Sequence, residues 1–222
     1  MNILTAPSLF AADLANIERE VKRTKEAGAD IIHFDIMDGI YVPNMSFGFN
    51  VLSAVRALTD LPIDAHMMTV RPDKYIEMLA DSGADIVTVH NDIAKEETIS
   101  AIIDKIHSFG MMAGIALKPK VEAEAVAAFA DKVDLVLCMT VEPGFSGQKF
   151  MDMSEKIAAV SKIVEGRNVS IEVDGGINAE TAAVCAAAGA NVFVVGSAAY
   201  TAPSMKDVLD DVKNAAVSAY PW

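Results

Sequence analysis

Short apolar runs alternate with amphipathic stretches from one end of the chain to the other. Apolar runs rich in valine and isoleucine indicate buried strands, and stretches with apolar residues three or four positions apart indicate helices. The predicted strands cover 3–10, 30–37, 62–68, 85–90, 112–117, 134–140, 169–174 and 192–196. The predicted helices cover 13–27, 50–59 with Asn50 as N-cap, 73–82, 96–109, 121–129, 152–164, 179–188 and 204–219. Strands and helices therefore alternate throughout.

This alternation predicts an α/β fold in which eight strand–helix units close into a (β/α)8 TIM barrel, a single domain over 1–222. Gly28, Gly83 and Gly189 each begin a Gly-Ala-Asp or Gly-Ala-Asn sequence before a strand, as a helix C-cap leading into that strand requires. An open doubly wound sheet is the alternative. It would more often carry a glycine fingerprint after its first strand, and the Ser8-Leu-Phe-Ala sequence there has none.

The second predicted strand carries three chemically distinctive side chains. His33, Asp35 and Met37 alternate with apolar residues, and because strand side chains alternate between faces, these three project to the same side. Gly39 and Pro43 follow and end the strand in a loop, which places Asp35 near its carboxyl end. In a parallel α/β protein, that end carries the chemistry.

Polar residues recur near the carboxyl ends of other strands. Ser8 follows the first strand's apolar run, His66 lies on the third strand, and Asp174 ends the seventh. Polar atoms inside a barrel are costly unless they are paired or ligated. His33, Asp35, His66 and Asp174 therefore make a ligand set for one divalent metal with nitrogen and oxygen donors. Each histidine alone is more often a hydrogen-bonded core residue, so the prediction rests on the set.

Other polar residues are assigned supporting roles. His90 on the fourth strand and His107 in a helix are expected to be structural. Asp38 is expected to brace the loop after the second strand, and Asp64 to do the same one strand over. Glu172 shares a face with the aspartate that ends the seventh strand, and it is expected to support the metal-ligand set from behind, with membership of a buried ion pair as the alternative.

Glycine-rich loops give a second signal at the same end of the barrel. Backbone N–H groups exposed by glycines bind phosphate without needing a lysine or arginine, and the loops after strands seven and eight are the usual phosphate site of barrels. Glycines that only serve tight turns are the alternative. The residues concerned are Gly144, Phe145, Ser146, Gly147, Gly175, Gly176, Gly196 and Ser197.

The formal net charge of −13 disfavours nucleic acid and anionic membrane surfaces as partners. It also implies that local dipoles, and not the field of the whole protein, must hold an anionic substrate. No apolar segment is long enough to span a bilayer, and the N-terminus lacks a signal-like sequence, so a cytoplasmic location is expected. Cys138 and Cys185 show neither metal-ligand spacing nor a disulfide pattern, and we expect reduced, buried thiols.

Seven motifs in order along nearly the whole chain resemble those of ribulose-phosphate 3-epimerases. They are Ala6-Pro-Ser-Leu, His33-Phe-Asp-Ile-Met-Asp-Gly, Val42-Pro-Asn, His66-Met-Met, Met139-Thr-Val-Glu-Pro-Gly-Phe-Ser-Gly-Gln, Glu172-Val-Asp-Gly-Gly and Gly196-Ser. The resemblance implies a barrel that binds one divalent ion through His33, Asp35, His66 and Asp174. Zinc is the first expectation, with iron, manganese or cobalt as alternatives. A homo-oligomer is also implied.

The same resemblance assigns roles to the residues of the barrel mouth. It implies that Asp35 and Asp174 are the two acid/base groups and that Ser8 and His66 contact the substrate. The glycine-rich loops, from Gly144 to Ser197, would hold the phosphate of a small sugar phosphate. It also implies that the pocket is lined by methionines, namely Met37, Met68 and Met139. Core packing is the alternative for any one methionine.

Epimerisation at C3 of a 2-ketose phosphate explains why such groups are needed. A proton is removed from a carbon next to a carbonyl and another is returned to the opposite face, so two bases must flank that carbon. Ribulose 5-phosphate is the expected substrate. The chain departs from the family at Ile40, Ser146 and Asp92, and Ile40, on the loop expected to face the sugar, leaves allulose 6-phosphate as the alternative.

Two other functions remain open at this point. A decarboxylase or synthase of the ribulose-phosphate-binding barrels would usually show Asp-x-Lys-x-x-Asp, whereas this chain has Asp35-Ile-Met-Asp38 without the lysine. A non-catalytic module that binds sugar phosphate or metal is the third hypothesis. Binding alone needs no second base, and both aspartates are present.

Overall fold

The computed structural model describes residues 2–221. Its strands are β1 Leu4–Pro7, β2 Ile32–Met37, β3 Ile63–Met68, β4 Ile86–His90, β5 Met112–Leu117, β6 Leu135–Met139, β7 Ser170–Asp174 and β8 Val192–Val195. Its α-helices are α1 Ile17–Glu26, α2 Phe49–Arg56, α3 Ile76–Asp81, α4 Glu96–Ser108, α5 Ser154–Ile163, α6 Ala179–Ala187, α7 Ser197–Tyr200 and α8 Met205–Ala219. All eight predicted strands are present, and most of them are slightly shorter than predicted.

The strands form one parallel sheet in the order β1-β8-β7-β6-β5-β4-β3-β2. The first and last strands of that order also meet. Ser8 pairs with His33 in a parallel bridge, and the amides of Asp30 and Ile31 donate to the carbonyl oxygen of Thr5. These contacts curl the sheet into a barrel, so the predicted (β/α)8 fold is confirmed.

The connection after β5 differs from the prediction. The helix predicted over 121–129 is wrong, because the structure has a 3-10 turn at Ala123–Val126 in its place. Glu122 precedes this turn without capping it through its side chain. Without a side-chain cap, the segment forms only this short 3-10 turn, since the first helical turn fixes several residues before any further hydrogen bond repays the cost.

Several elements begin or end at other residues than predicted. The cap of α2 is Gly48, so the assignment of Asn50 as N-cap is wrong. The first strand ends at Pro7, because the Ser8 hydroxyl accepts a hydrogen bond from the Phe10 amide and starts a 3-10 turn there. Predicted helices 13–27 and 73–82 likewise open with 3-10 turns, at Leu14–Asn16 and Pro72–Lys74.

A hydrogen bond repeats four times at the amino ends of the strands. Each time, a side chain just before an even-numbered strand accepts from a backbone amide near the start of the preceding odd-numbered strand. The bonds run from Thr5 N to Asp30 Oδ2 at 2.8 Å, Ile63 N to Asp85 Oδ2 at 2.8 Å, Ala113 N to Asp134 Oδ2 at 2.8 Å and Ile171 N to Asn191 Oδ1 at 2.7 Å. These four amide clamps tie the barrel together at the end opposite the predicted site.

The barrel has two differently composed surfaces. Outward side chains of the strands, such as Phe34 and Val87, join helix residues such as Leu52 in one large apolar core between the sheet and the helices. The interior is divided. One part is apolar, where Leu135, Leu137 and Met139 cluster. The other part carries buried histidines and carboxylates, and a polar interior of this kind needs a partner for its charges.

Candidate active site

Neighbouring strands bring the predicted polar residues into register. Asp35 of β2 lies opposite His66 of β3, and Met37 lies opposite Met68. His33, two residues before Asp35, projects to the same side, as the alternation of strand side chains requires. All five are buried.

Four side chains converge on one point. His33, Asp35, His66 and Asp174 each offer a ligand atom, and these atoms all lie within 4.8 Å of one another. Nε2 of His33 is 3.5 Å from Asp35 Oδ1, Nδ1 of His66 is 3.3 Å from the same oxygen, and the two ring nitrogens are 3.4 Å apart.

These distances fit a metal-ligand set. Nitrogen and oxygen atoms placed tetrahedrally around Zn²⁺ at its usual bond lengths are about 3.3 Å apart. A shared cation between the two imidazoles and the carboxylates would also explain why so many polar groups face each other inside the barrel. The His/Asp cluster could therefore hold a metal ion.

Hydrogen bonds behind this cluster orient its members. His33 turns Nδ1 away from the cluster, to Asp64 Oδ2 at 3.0 Å and Glu172 Oε1 at 3.5 Å. A carboxylate partner on the second ring nitrogen is the usual support for a histidine that ligates a metal through the first. Asp64, Glu172 and His33 also form a second group of potential metal ligands. The nitrogen that His33 would offer there is Nδ1, which already contacts the two carboxylates.

Asp35 is held from two directions. The Ser8 hydroxyl donates to Asp35 Oδ2 at 2.6 Å, and the Ser46 hydroxyl donates to the Asp35 carbonyl at 2.6 Å. Ser46 also accepts from the Met37 amide at 2.9 Å. The loop after β2 therefore packs back on the strand end and fixes the direction of the carboxylate.

Charges in the cluster shift the pKa values of the two aspartates in opposite directions. Burial alone would raise the pKa of Asp35, but His33 and His66 hold the pKa of that carboxyl well below its ordinary value. Withdrawal from water, together with the charge of Asp35, raises the pKa of Asp174 to about 6 although the histidines oppose this. Groups whose surroundings push their pKa values apart are the pattern expected of an acid and a base.

The carboxylates around His33 favour positive charge. Burial would lower the pKa of His33, but Asp35, Asp64 and Glu172 raise it well above its ordinary value. The pKa of Glu172 is raised to about 8 by burial and by Asp64. This part of the barrel therefore stabilises a cation, as a metal site must.

A cavity of about 460 Å³ opens above the cluster, at the carboxyl end of the strands. A volume of this order is ordinary for small-molecule sites. Asp35 lines the cavity, whereas His33 and His66 are fully buried and are not among the residues that line it. The predicted site residues that line it are Ser8, Asp35, Met37, Met68, Met139, Gly144, Phe145, Ser146, Gly147, Asp174, Gly175, Gly176, Gly196 and Ser197.

Gly175 and Gly176 are required where they stand. Both have a left-handed φ, +126° and +66°. An added Cβ would lie 2.8 Å from the amide nitrogen of Val141 at the first position and 2.8 Å from that of Phe150 at the second. Backbone elsewhere cannot yield as a flexible side chain can, so these two glycines bring strands β6 and β7 and the following loop into close approach.

The loop after β6 is fastened to its neighbours. The Asn44 amide donates to the Gly144 carbonyl at 2.8 Å, which joins this loop to the one after β2. Gln148 donates within the loop to the carbonyl of Phe145 at 2.9 Å. Ser146 has an ordinary φ, since every described residue with positive φ is a glycine. The serine is therefore accommodated without backbone strain.

Three expectations about individual residues change. Asp64 does not brace a loop, because it is fully buried in the barrel and accepts from Thr88 Oγ1 at 3.0 Å. Ile40 is 75% exposed and is not among the residues that line the cavity, so the structure does not place it against the space where the sugar is expected to bind. His90, expected to be only structural, has its Nε2 2.9 Å from Nε2 of His66.

Part of this could be found in the sequence. Asp64 precedes His66 by two positions and therefore shares its face, which is the same signal that identified His33. Asp38 accepts from the Val70 amide at 2.9 Å and does brace the loops, as predicted. His107 contacts Asp134 at the opposite end of the barrel.

Both cysteines are free and buried, as expected. None of the helices in the described part of the chain has the length and apolar character needed to cross a membrane.

Comparison with known proteins identifies relatives over almost the whole chain. The model of the ribulose-phosphate 3 epimerase family matches residues 4–200. The ribulose-phosphate 3-epimerase of Bacillus subtilis (strain 168) is 41% identical over 215 residues, covering 95% of this chain and 98% of that protein. The cytoplasmic isoform of ribulose-phosphate 3-epimerase from Oryza sativa subsp. japonica is 40% identical over 212 residues, covering 94% and 92%.

Solved structures agree on the architecture. 3-Hexulose-6-phosphate synthase from Salmonella typhimurium superimposes with a TM-score of 0.74 at 20% identity, covering 98% of this chain and 100% of that one. This likeness concerns the fold alone, whereas the family match and the curated relatives concern the sequence and its motifs. The chain belongs to the ribulose-phosphate 3-epimerase family, enzymes that isomerise carbohydrate phosphates.

Proposed function

We propose that this protein epimerises C3 of ribulose 5-phosphate, giving xylulose 5-phosphate, in a metal-dependent reaction. One observation carries the proposal. Asp35 and Asp174 come from strands separated by β1 and β8, meet beside two histidines and have pKa values displaced in opposite directions. That arrangement suits a pair of acid/base groups acting on one carbon.

The two carboxyl groups divide the proton transfers. One carboxylate takes the proton from C3, and the C–H electron pair moves into a C2–C3 double bond as negative charge develops on the ketone oxygen. The other carboxylic acid then delivers its proton to the opposite face of C3, and the electron pair returns to form the new C–H bond. The roles of Asp35 and Asp174 exchange when the reaction runs backwards. Ser8, through its bond to Asp35, keeps that carboxylate aimed at the carbon.

His33, Asp35, His66 and Asp174 would hold the metal ion, and the ligand spacing supports this. When bound, a divalent ion supplies Lewis-acid polarisation of the ketone and stabilises the negative charge of the intermediate. Zinc is proposed first, because imidazole nitrogens and carboxylate oxygens at about 3.3 Å spacing suit it, with iron, manganese or cobalt as alternatives.

The phosphate of the substrate is proposed to lie at the glycine-rich end of the cavity. Gly144, Gly147, Gly176 and Gly196 expose backbone there, and Ser197 adds a hydroxyl. Oriented N–H groups hold an anion without a full positive charge. Lys149 is the one cationic side chain among the described residues that line the cavity, so dipoles carry most of the recognition.

The position of Ile40 bears on the choice of substrate. Its exposed side chain lies outside the cavity, so replacing the family's usual residue there leaves the walls around the sugar unchanged. This favours the pentulose over allulose 6-phosphate. A homo-oligomer and a cytoplasmic location complete the proposal. The cytoplasmic location is supported by the rice relative, which is named a cytoplasmic isoform, and by the two cysteines, which form no disulfide.

Turnover of ribulose 5-phosphate and of allulose 6-phosphate should be measured side by side on metal-loaded protein. We expect a clear preference for the pentulose, loss of activity after chelation and recovery when a divalent ion is added back. Full activity without detectable metal would contradict the metal role. Preference for the hexulose would contradict the assigned substrate while leaving the reaction type intact.

A further inference from the structure

His90 of β4 lies behind the proposed metal ligand His66 and is fully buried. The Nε2 atoms of the two rings are 2.9 Å apart, while the ring centroids are 5.0 Å apart with 28° between the planes. The closest atoms are therefore the two nitrogens, and the rings meet edge to edge. This is the geometry of a hydrogen bond between imidazoles, in which one nitrogen carries the proton and the other accepts it.

The other nitrogen of His66 fixes which way this bond runs. Nδ1 of His66 faces Asp35 Oδ1 at 3.3 Å and His33 Nε2 at 3.4 Å, so it is the atom turned toward the metal-ligand cluster. A neutral imidazole that gives its Nδ1 lone pair to a cation carries its proton on Nε2. His66 Nε2 must then donate, and His90 Nε2 must accept.

Contacts at the surface hold the His90 ring in place. The ring of Tyr41 packs on it with centroids 4.8 Å apart. The Tyr41 hydroxyl donates to Asp92 Oδ1 at 2.7 Å, Lys118 Nζ lies 3.1 Å from Asp92 Oδ2, and the same ammonium lies 3.9 Å from the centroid of the Tyr41 ring. The loop after β2 is therefore fastened to the ends of β4 and β5 directly over His90.

We propose that His90 is a positioning residue that fixes the proton of His66 on Nε2 and so presents Nδ1 of His66 to the divalent ion. This inference rests on the metal role in the proposed function. It adds a histidine in the place where a carboxylate or a backbone carbonyl usually supports a metal-ligating imidazole. His33 has the usual carboxylate support, so the two histidine ligands are oriented by different chemistry.

Zn²⁺ affinity, measured by competition with a chromogenic chelator, tests the proposal. His90→Phe keeps a ring against Tyr41 but has no acceptor, and we expect it to weaken Zn²⁺ binding by about 10- to 100-fold. His90→Gln restores an acceptor near the position of Nε2 and should bind Zn²⁺ within about threefold of the unsubstituted protein. The control is His107→Gln, since that histidine lies at the other end of the barrel and should leave the affinity unchanged.

The outcomes distinguish failure of this inference from failure of the proposed metal role. Unchanged affinity in His90→Phe, or equal loss in His90→Phe and His90→Gln, would overturn the positioning role while the metal site stands. Failure of the unsubstituted protein to bind Zn²⁺ would overturn the metal role and this inference with it.

A second measurement needs no variant and decides the matter if His90→Phe does not fold. Nitrogen-15 NMR of the Zn²⁺-loaded protein should find His66 protonated on Nε2 and His90 bare on Nε2. A proton on Nε2 of His90 would overturn the proposal.

Discussion

Asp35 and Asp174 are identical side chains with different electrostatic surroundings. Two histidines lie within 3.5 Å of Asp35 and stabilise its ionised form, whereas burial and the charge of Asp35 raise the pKa of Asp174 to about 6. At neutral pH the first is therefore ionised, and the second has a pKa close enough to neutral pH that it can either give or take a proton. Catalytic efficiency is greatest for groups in that range.

Asp174→Asn should separate binding from proton transfer. The amide keeps the shape of the side chain but cannot take up or deliver the C3 proton, so turnover should fall by at least about 100-fold. Phosphate affinity, measured with inorganic phosphate as a competitive inhibitor, should stay within about threefold because the glycine-rich loops are untouched. Metal content must be determined in parallel. Asp81→Asn, at an exposed position of α3, is the control, and near-normal turnover in Asp174→Asn would exclude its acid/base role.

Glu172 should make the metal-free protein less stable as pH rises. Its folded pKa is raised from 4.5 to about 8 by burial and by Asp64. Between those values the folded state keeps a proton that the unfolded chain has released, so the free energy of unfolding falls with increasing pH. Glu172→Gln mimics the protonated form and should be the more stable protein at pH 8.5 by a few kcal/mol, with little difference at pH 4.5.

Thermal or urea unfolding of chelator-treated protein at the two pH values measures this difference. Glu77→Gln, on the exposed side of α3, is the control, and its stability should follow that of wild type at both pH values. If the difference in the free energy of unfolding between wild type and Glu172→Gln is the same at both pH values, Glu172 does not hold a proton in the folded protein.

At the scale of elements, the four amide clamps divide the barrel into four two-strand units. Three of the acceptors are aspartates that also contact a basic side chain, Lys213, Arg56 or His107. The fourth, Asn191, is buried and neutral. An aspartate at this last position would bury a charge with no cation beside it among the described residues, and that explains the amide there.

Asn191→Ala should destabilise the barrel without affecting its chemistry. The change leaves the buried amide of Ile171 without its acceptor, which costs about 1–3 kcal/mol. Because the clamp lies at the amino end of the strands, kcat and KM of the folded variant should match wild type. Urea unfolding checks the first expectation. An unchanged midpoint, or a large fall in kcat, would contradict the separation of stability from function between the two ends.

The sequence predicted best what depends on local periodicity. The period of two on β2 places His33, Asp35 and Met37 on one face, and the structure has them there. For Asp64 the local signal is its spacing of two from His66, which places it on the interior face of β3; the residue taken alone does not reveal this. The turn after β5 was missed because an amphipathic pattern does not reveal whether a helix has a cap and enough length.

Contacts between loops were beyond prediction for a different reason. Tyr41, His90 and Asp92 meet because the ends of β2 and β4 approach each other in a closed barrel. No local property of the sequence records that approach. The Asn44–Gly144 bond, which joins the loops after β2 and β6, is of the same kind.

At the scale of the whole molecule, the net charge of the protein does not help it to bind an anionic substrate. The net charge of −13 would repel a sugar phosphate, so capture depends on the cavity at one end of the barrel. The glycine-rich loops and Lys149 line one part of that cavity, which is where we propose that the phosphate binds. The floor of the same cavity holds enough carboxylates to attract a divalent cation.

Solvent deuterium in the first product formed tests the two-base reaction most directly. Metal-loaded protein should convert ribulose 5-phosphate in D2O, and the C3 position of xylulose 5-phosphate should be examined at low conversion by mass spectrometry or NMR. We expect deuterium at C3 in nearly every product molecule, because the acid that delivers the proton is not the base that removed the original one. Product that keeps protium at C3 while turnover proceeds would contradict the two-base account.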